Sequence, residues 1–299
     1  MDMKGKLDYA VSKWKLTNIT EVYANSVRAV YRAKSETYGS VIVKINNNAD
    51  ELCIEAAVLG VLSGNGCCTL YAFEEEKGIF LEEQICPGTV LRDEQDVQKR
   101  VECFAAVFEK LHESTGKGGS ECVLSGFGAL EFGTYLDWLA NAKRFCEESV
   151  LKGSPEVKAL LRQSGLPEKM QCAYEIGEEL FAEYPERVLL HGDLHHDNIL
   201  ANAEGGYFVI DPKGVIGPRI FDVPRFVLNE IGYVKESETE KTKEHLEWVI
   251  RLINERLGYP VQDICKLLFM ETILASVWSV EDGEEINEMQ IRVAEALGR

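Results

Sequence analysis

Two polar stretches with apolar flanks lie close together in the second half of the chain and restrict its fold most strongly. The stretch HGDLHHDNIL occupies residues 191–200, and VIDPKG occupies residues 209–214. Their apolar flanks have the short, β-rich character of strands. Two such strands joined by a turn can place Asp193, Asn198 and Asp211 around one small volume. The sequence therefore predicts a β-hairpin that carries a cluster of oxygen-bearing side chains.

One chemistry open to the first stretch is metal-dependent hydrolysis, and a plain polar turn is another interpretation of it. Imidazole and carboxylate groups are common ligands of catalytic metals. The possible ligands are His191, Asp193, His195, His196 and Asp197. Hydrolytic sites usually gather further ligands from elsewhere in the chain. The remaining histidines, His112 and His245, both fall in helical patterns, which weighs against a metal cage.

Phosphoryl transfer accounts for more of the residues in the two stretches. The first stretch fits the spacing H-x-D-x-x-x-x-N, with His191, Asp193 and Asn198. An aspartate within hydrogen-bonding distance can orient a hydroxyl nucleophile and accept its proton. Mg²⁺ prefers hard oxygen ligands, and Asn198 and Asp211 offer an amide oxygen and a carboxylate.

The first part of the chain supplies a complementary cation. Lys44 ends the apolar strand VIVK, and Glu55 lies eleven residues later in a helical pattern. A strand lysine held by a helix carboxylate can hold a positive charge over the α- and β-phosphates of a nucleotide. Taken separately, a lysine at a strand end and a glutamate on a helix are ordinary surface residues.

The patterns predict an α+β fold with two parts. A small, mostly β N-terminal part has strands within 18–32, 39–45 and a hairpin within 67–85, with a helix from about residue 50. Pro87-Gly88 marks the predicted boundary. The domains are therefore predicted as 1–88, for nucleotide binding with a hinge at about 83–88, and 89–299, a larger and mainly helical part with the inserted β-hairpin.

The net charge indicates which partners to expect, and the cysteines indicate the cellular compartment. The net charge is −18, with 9 basic and 12 acidic residues up to Gly88 and 23 and 38 after it. Such a negative surface repels nucleic acids and anionic membranes and attracts cations. The nine cysteines form no C-x-x-C pair, and the start of the chain has no secretory signal. A cytoplasmic protein with reduced thiols, no nucleic-acid or membrane partner and an undetermined oligomeric state is expected.

The residues now described resemble a known family. HGDLHHDNIL followed by VIDPKGVIGPRIFD is similar to the aminoglycoside phosphotransferase family. LEEQICPGTVL at 81–91 and SVWSVEDGEE at 276–285 resemble its streptomycin 6-kinase and hydroxyurea-resistance kinase branch. The resemblance implies a two-lobed, protein-kinase-like fold, a small-molecule kinase and a role in antibiotic resistance. It also implies ATP and Mg²⁺ as cofactors, with GTP not distinguished from ATP.

The resemblance also implies roles for individual residues. Asp193 would be the catalytic base, and Asn198 and Asp211 would be the Mg²⁺ ligands. Lys44, paired with Glu55, would contact the nucleotide phosphates. The remaining implied roles are a hinge from Glu83 to Ile85 whose backbone binds adenine, and structural support of the catalytic loop by His191 and Asp222.

Three positions depart from the protein-kinase pattern. Gly192 replaces an arginine, which argues against regulation by phosphorylation, and Pro212 replaces a phenylalanine. The phosphate loop implied at 23–28 contains no glycine. Its phosphate contacts would therefore come from backbone N–H groups or from Ser26.

The acceptor of the phosphoryl group is expected on the acidic, helical part of the chain. If it is cationic, carboxylates and an aromatic side chain would meet its charged groups. The candidates are Glu271, Trp278, Glu281 and Asp282. An acidic, exposed helix end explains Glu281 and Asp282 equally well. The simpler interpretation of Asp137 and Trp138 is a helix face with a buried tryptophan.

Two alternatives to a streptomycin-like acceptor stay open. One is a kinase of the same fold that acts on another small metabolite alcohol. The other is a nucleotide-binding module without catalysis. Degenerate kinases usually lack the lysine, the base or a metal ligand, whereas this chain has residues at all of these positions.

Overall fold

The N-terminal part of the molecule is built on an antiparallel β-sheet. The computed structural model describes residues 1–115, 132–235 and 238–298. Its largest sheet has five strands in the order β1-β2-β3-β5-β4. These strands are β1 (Leu16–Ala24), β2 (Arg28–Ser35), β3 (Gly39–Asn46), β4 (Leu70–Glu74) and β5 (Ile79–Glu83).

A helix that the sequence patterns did not predict, α1 (Met3–Trp14), covers the outer face of this sheet. The Asp2 side chain caps its first turn by accepting a hydrogen bond from the backbone N–H of Gly5 at 2.9 Å. Ala10 and Trp14 are buried against the sheet. The odd-numbered residues of β3 and β5 complete this apolar layer: Val41, Val43, Ile45, Ile79 and Leu81.

The inner face of the sheet carries polar groups beside helix α2 (Ala49–Leu62). Successive side chains of a strand point to opposite faces, so the even-numbered residues of β3 and β5 face inward. Lys44 is paired with Phe80 across the two strands, and Ile42 is paired with Glu82. Lys44 and Glu82 therefore share the inner face, diagonally opposite each other.

The remainder of the chain is mainly helical and surrounds one long, buried helix. The helices after α2 are α3 (Val97–Thr115), α4 (Tyr135–Lys152), α5 (Pro155–Ser164), α6 (Leu166–Glu183), α7 (Pro224–Asn229), α8 (Thr239–Leu257), α9 (Val261–Glu281) and α10 (Glu288–Gly298). The central helix is α9, which has apolar residues on all sides and packs against α4, α6, α7, α8 and α10. Among the described residues, no helix combines the length and apolar character that a membrane crossing requires.

Two small sheets hold the polar stretches of the sequence between the N-terminal sheet and the helices. The first sheet contains β6 (Pro87–Val90), β8 (Ile199–Asn202) and β9 (Tyr207–Val209), with β8 in the centre. The second pairs β7 (Val188–Leu190) with β10 (Val215–Gly217) in antiparallel fashion. The β8–β9 pair is the hairpin that the sequence predicts, and β6 extends it from the proposed boundary.

Candidate active site

A buried cation with several carboxylates lies on the inner face of the N-terminal sheet. Nζ of Lys44 lies 2.6 Å from Oε1 of Glu55 on α2 and 3.2 Å from Oε1 of Glu82 on β5. It also contacts the carboxylate of Asp211, which follows β9. The structure therefore brings together the lysine and the glutamate that the sequence singled out. Glu82 is an acid that sequence reasoning missed.

Burial and charge act in opposite directions on this cluster. Burial disfavours the protonated amine of Lys44, but the carboxylates of Glu55, Glu82 and Asp211 outweigh it and hold its pKa well above the usual value. Burial raises the pKa of Glu82 to about 7, although Lys44 opposes the shift. Lys44 is therefore a permanent cation, whereas Glu82 changes its charge near neutral pH.

The loop after β7 is held in shape by Asp222. The buried carboxylate of Asp222 accepts hydrogen bonds from the backbone N–H groups of His191, at 3.0 Å, and Gly192, at 2.8 Å. The His191 ring lies within hydrogen-bonding distance, 2.9 Å, of the carbonyl oxygen of Ile210, and its Nδ1 accepts from the backbone N–H of Asp193 at 3.2 Å. The two polar stretches are thereby joined through one imidazole.

Asp193 is surrounded by donors and positive charge. Its Oδ1 lies 3.6 Å from Nε2 of His195 and 3.7 Å from Nε of Arg225, and its Oδ2 accepts from Nδ2 of Asn198 at 3.4 Å. Burial would raise the pKa of Asp193, but the interaction with His195 and the charge of Arg225 outweigh burial and hold it well below the usual value. Asp193 is therefore an ionised carboxylate that can accept a hydrogen bond from a hydroxyl group.

Asn198 and Asp211 offer oxygen atoms suited to a hard cation. Among the residues described, the hydrogen bonds of the Asn198 side chain all use Nδ2, which leaves Oδ1 available. The backbone N–H of Ile210 donates to the carbonyl of Asn198 at 3.0 Å and brings the following Asp211 alongside. Asp211 has a φ of +59°, a left-handed conformation that is uncommon outside glycine, asparagine and aspartate. A donor set of one amide and one carboxylate fits Mg²⁺, which usually takes its other ligands from water and phosphate.

The histidines of the loop do not form a metal cage. His191 is buried and engaged with backbone groups, while His196 is fully buried, stacks on Phe226 and lies 2.8 Å from Glu230. Within the ranges that the structure describes, no three His, Cys, Asp or Glu side chains are grouped as metal ligands. The hydrolase interpretation is therefore not supported.

A cleft of about 1010 Å³ separates the N-terminal sheet from the Asp211 segment. Its wall includes Lys44 and Glu55 on one side, Glu83 and Ile85 at the end of β5, and Asp211 opposite them. A volume of this order is at the upper end of the range for pockets that hold small ligands and cofactors. The predicted hinge residues thus face the same cavity as the predicted phosphate-binding lysine.

The turn between β1 and β2, predicted to contact phosphates, is stabilised by the side chain of an asparagine. Oδ1 of Asn25 accepts hydrogen bonds from the backbone N–H groups of Val27, at 2.8 Å, and Arg28, at 2.7 Å. Asn25, Val27 and Arg28 line the cleft, whereas Ser26 is exposed and is not one of the lining residues. A phosphate contact through Ser26 or through the backbone N–H groups of this turn stays a prediction, and Arg28 is the group that sequence reasoning missed.

The predicted acceptor residues fall in two different places. Glu271 is only 1% exposed, and its carboxylate is engaged by Arg225, with Nε 2.7 Å from Oε1, and by the hydroxyl of Tyr135. The carboxylate predicted to meet the acceptor is therefore buried and already has two partners within the chain. Glu281 and Asp282 are exposed at the end of α9, and Asp282 lines the mouth of the cleft.

Trp278 lies on α9, later in the helix than Glu271. Its ring packs against the ring of Trp138 on α4. The two ring centroids are 5.7 Å apart in an edge-on arrangement. The Arg225 guanidinium lies 5.3 Å from the Trp278 ring centroid. Trp138 also packs against the loop after β7, since a Cβ added at Gly192 would lie 2.9 Å from its ring.

Polar side chains, of which Arg100 and Glu230 are buried, support the loop after β7. Arg92 forms a two-point ion pair with Asp197 at 3.2 and 2.7 Å. Glu230, which has no exposed surface, accepts hydrogen bonds from Arg100 at 2.8 and 2.6 Å and lies 2.8 Å from both His196 and His245. Because these partners are far apart in the chain, no local pattern in the sequence indicated them.

Comparison with known proteins shows which family, which relatives and which solved structures this chain resembles. The sequence model of the family described as aminoglycoside/hydroxyurea antibiotic resistance kinase matches residues 13–283. The hydroxyurea phosphotransferase of Kitasatospora aureofaciens is 28% identical over 257 residues, 83% of this chain. That match spans 65% of the relative's own length, slightly less than two thirds. The streptomycin 6-kinase of Streptomyces griseus is 23% identical over 292 residues, 97% of this chain and 87% of that protein.

A solved structure shares the fold. An aminoglycoside phosphotransferase in a ternary complex with ADP and hygromycin B aligns with a TM-score of 0.65 at 11% identity, covering 98% of this chain and 97% of that chain. This likeness confirms the predicted two-lobed fold class, with a small β-rich part and a larger, mainly helical part.

Proposed function

This chain belongs to the aminoglycoside/hydroxyurea antibiotic resistance kinase family, and we propose that it is an ATP-dependent kinase that phosphorylates a hydroxyl group of a small, aminoglycoside-type molecule. We further propose that residues 1–88 bind the nucleotide and residues 89–299 bind the acceptor. The relative named streptomycin 6-kinase supports this class of acceptor, and the relative named hydroxyurea phosphotransferase supports a small molecule as the acceptor. The ADP bound in the structural relative supports a nucleotide in the cleft.

The single observation that carries the proposal is the contact of Lys44 with Asp211 across the cleft, beside Asp193 and Asn198. Phosphoryl transfer requires positioning and electrostatic stabilisation more than covalent chemistry. Lys44 would bind the nucleotide phosphates, because its ammonium group is permanently charged and is held in place by carboxylates. Arg28, at the turn above, would add a second positive charge.

Asp193 would orient the acceptor hydroxyl and accept its proton. Its carboxylate is ionised and fixed by Asn198, so it needs no reorganisation before the acceptor binds. Asn198 and Asp211 would hold Mg²⁺, which would neutralise charge on the phosphates. Asp282 and Glu284, exposed at the mouth of the cleft, would attract cationic groups of the acceptor.

The test is an ATP-consumption assay with purified chain, Mg²⁺ and three separate acceptors: streptomycin, hydroxyurea and hygromycin B. We expect ADP release that depends on at least one of them, with mass spectrometry showing one added phosphate on that acceptor. Asp193→Asn serves as the inactive control. A chain that binds ATP but phosphorylates none of the three would contradict the proposal.

A further inference from the structure

We propose that Arg225 is an acceptor-binding residue that recognises an oxygen atom next to the hydroxyl oriented by Asp193. The acceptor would therefore carry a second hydroxyl, carbonyl or similar oxygen at that position, and its ammonium groups would lie further away. The inference rests on the proposed function and deepens it by assigning the chemistry of the group beside the reacting hydroxyl.

The position of Arg225 is fixed from the protein side. It lies in the first turn of α7, with Nε 2.7 Å from Oε1 of Glu271 and 3.7 Å from Oδ1 of Asp193. Tyr135 donates to the other oxygen of Glu271. Three elements, α4, α7 and α9, thus hold one guanidinium beside the proposed catalytic base.

The outer nitrogens of Arg225 remain available. A guanidinium has five N–H donors in a rigid fork, and Nε of Arg225 is the nitrogen that approaches both Glu271 and Asp193. In the part of the chain that the structure describes, the Arg225 guanidinium forms ion pairs but donates no hydrogen bond to a protein acceptor. The Arg225 side chain is 19% exposed, matching the 20% of Asp193 beside it. A molecule that reaches Asp193 can therefore also reach these donors.

Local charge argues against an ammonium group at this point. A buried carboxylate beside an aromatic ring would attract a cation, and Glu271 with Trp278 is such a pair. Arg225 already pairs with the carboxylate and lies 5.3 Å from the ring centroid. An incoming ammonium would meet a guanidinium, whereas a hydroxyl or carbonyl oxygen would accept a hydrogen bond from it.

Acidic groups suited to cations lie elsewhere, at the mouth of the cleft. Asp282 and Glu284 are both exposed and line that opening. The site therefore separates two kinds of recognition: oxygen atoms beside Asp193 and positive charge at the rim. This division fits a polyhydroxylated acceptor whose amines are distant from the phosphorylated hydroxyl.

The test compares Arg225→Lys with the wild-type chain in steady-state kinetics, using streptomycin and hydroxyurea as acceptors. Lysine keeps the charge that pairs with Glu271 but loses the fork of donors. We expect the KM for the acceptor to rise about 10- to 100-fold, the effect of losing a hydrogen bond to a charged group. The kcat and the KM for ATP should stay near wild type.

Two further variants guard against misfolding and unspecific effects. The double variant Arg225→Met with Glu271→Met removes both buried charges together, and its thermal unfolding shows whether the fold is retained. Arg292→Lys, at an exposed arginine that pairs with Glu288 on α10, is the matched control and should leave every constant unchanged.

The outcomes separate the inference from the proposed function. An unchanged acceptor KM in both Arg225→Lys and the folded double variant overturns the inference. So does a loss confined to kcat, because Arg225 would then act on Asp193 and not on the acceptor. A wild-type chain that phosphorylates none of streptomycin, hydroxyurea and hygromycin B contradicts the proposed function itself; if only hygromycin B is phosphorylated, it replaces the other two as the acceptor in this comparison.

Discussion

Glu82 places Oε1 of its carboxylate 3.2 Å from Nζ of Lys44, although both side chains are buried inside the cleft wall. Its other oxygen, Oε2, accepts a weak hydrogen bond from the thiol of Cys68 at 3.5 Å. Lys44 is also paired with Glu55 and Asp211. Three carboxylates therefore surround one ammonium group, and the cluster is negatively charged when all of them are ionised.

The charge of Glu82 should make the stability of the fold depend on pH. Its pKa in the folded chain is about 7, against 4.5 for an ordinary glutamate. Between these values the folded chain keeps a proton that the unfolded chain has lost, so stability should fall as pH rises from about 4.5 to 7. Glu82→Gln cannot ionise and should lose this dependence. Its free energy of unfolding relative to wild type should rise by up to about 3 kcal/mol between pH 5 and pH 8.

Urea unfolding of both chains across this pH range measures the difference. Glu36→Gln is the matched control, since Glu36 is a surface residue with 70% of its side chain exposed. A difference between Glu82→Gln and wild type that does not change with pH would contradict the assignment of this titration to Glu82.

Replacing Asp193 by asparagine should stop turnover without disturbing nucleotide binding. The substitution preserves the shape of the side chain but removes the proton acceptor. We expect kcat to fall by about 10² to 10⁴, the usual contribution of a general base. The affinity for ATP, measured by calorimetry, should stay at the wild-type value. Substantial turnover by Asp193→Asn would assign the base to another residue.

Asp211 allows charge and backbone strain to be tested separately. Asparagine tolerates the left-handed conformation observed at φ +59°, whereas alanine does not. Both Asp211→Asn and Asp211→Ala should lose Mg²⁺-dependent activity, because each lacks the carboxylate. Asp211→Ala should in addition be less stable than Asp211→Asn by about 1–2 kcal/mol in urea unfolding. Equal stabilities would show that the surrounding loop relaxes to avoid the strain.

Glu230 should be far more important for stability than a surface carboxylate. Glu230→Ala leaves the Arg100 side chain, which is 1% exposed, without its ion-pair partner. Removing one partner of a buried pair costs about 3–5 kcal/mol. Glu109→Ala, which breaks the pair with Arg256 at 43% exposure on both sides, should cost at most about 1 kcal/mol. Urea unfolding compares the two, and similar losses would contradict a structural role for Glu230.

The parts of the site that could be predicted from the sequence are those with a local pattern. Lys44 ends the apolar strand VIVK eleven residues before Glu55, and the spacing from His191 to Asn198 indicated the loop. The period of two in a strand could also have indicated Glu82, because it lies two residues after Phe80, which is paired with Lys44 across β3 and β5.

Contacts between distant helices left no comparable signal. Arg225 and Glu271 lie on α7 and α9, and neither residue's neighbours indicate that a buried ion pair joins them. Acidic residues are rarely fully buried unless they are paired, so Glu271 was predicted as a residue that meets the acceptor and not as a partner of Arg225. Helix α1 was missed for a related reason. Its apolar residues are sparse among lysines, and its burial depends on the sheet that it covers.

Gly192 provides a final test of how closely the catalytic loop is packed. Gly192 and Gly205 both have positive φ, +77° and +82°, so alanine should cost about 1–2 kcal/mol of backbone strain at either position. A Cβ at Gly205 would meet no atom within 4 Å, whereas one at Gly192 would lie 2.9 Å from the Trp138 ring. Gly192→Ala must therefore displace either the Trp138 ring or the loop that carries Asp193, and small displacements of a reacting group can reduce turnover by about 10²-fold. We expect kcat/KM to fall in Gly192→Ala but not in Gly205→Ala. Urea unfolding should show that both variants are folded. Equal kcat/KM values in the two variants would mean that the Trp138 ring shifts without moving Asp193.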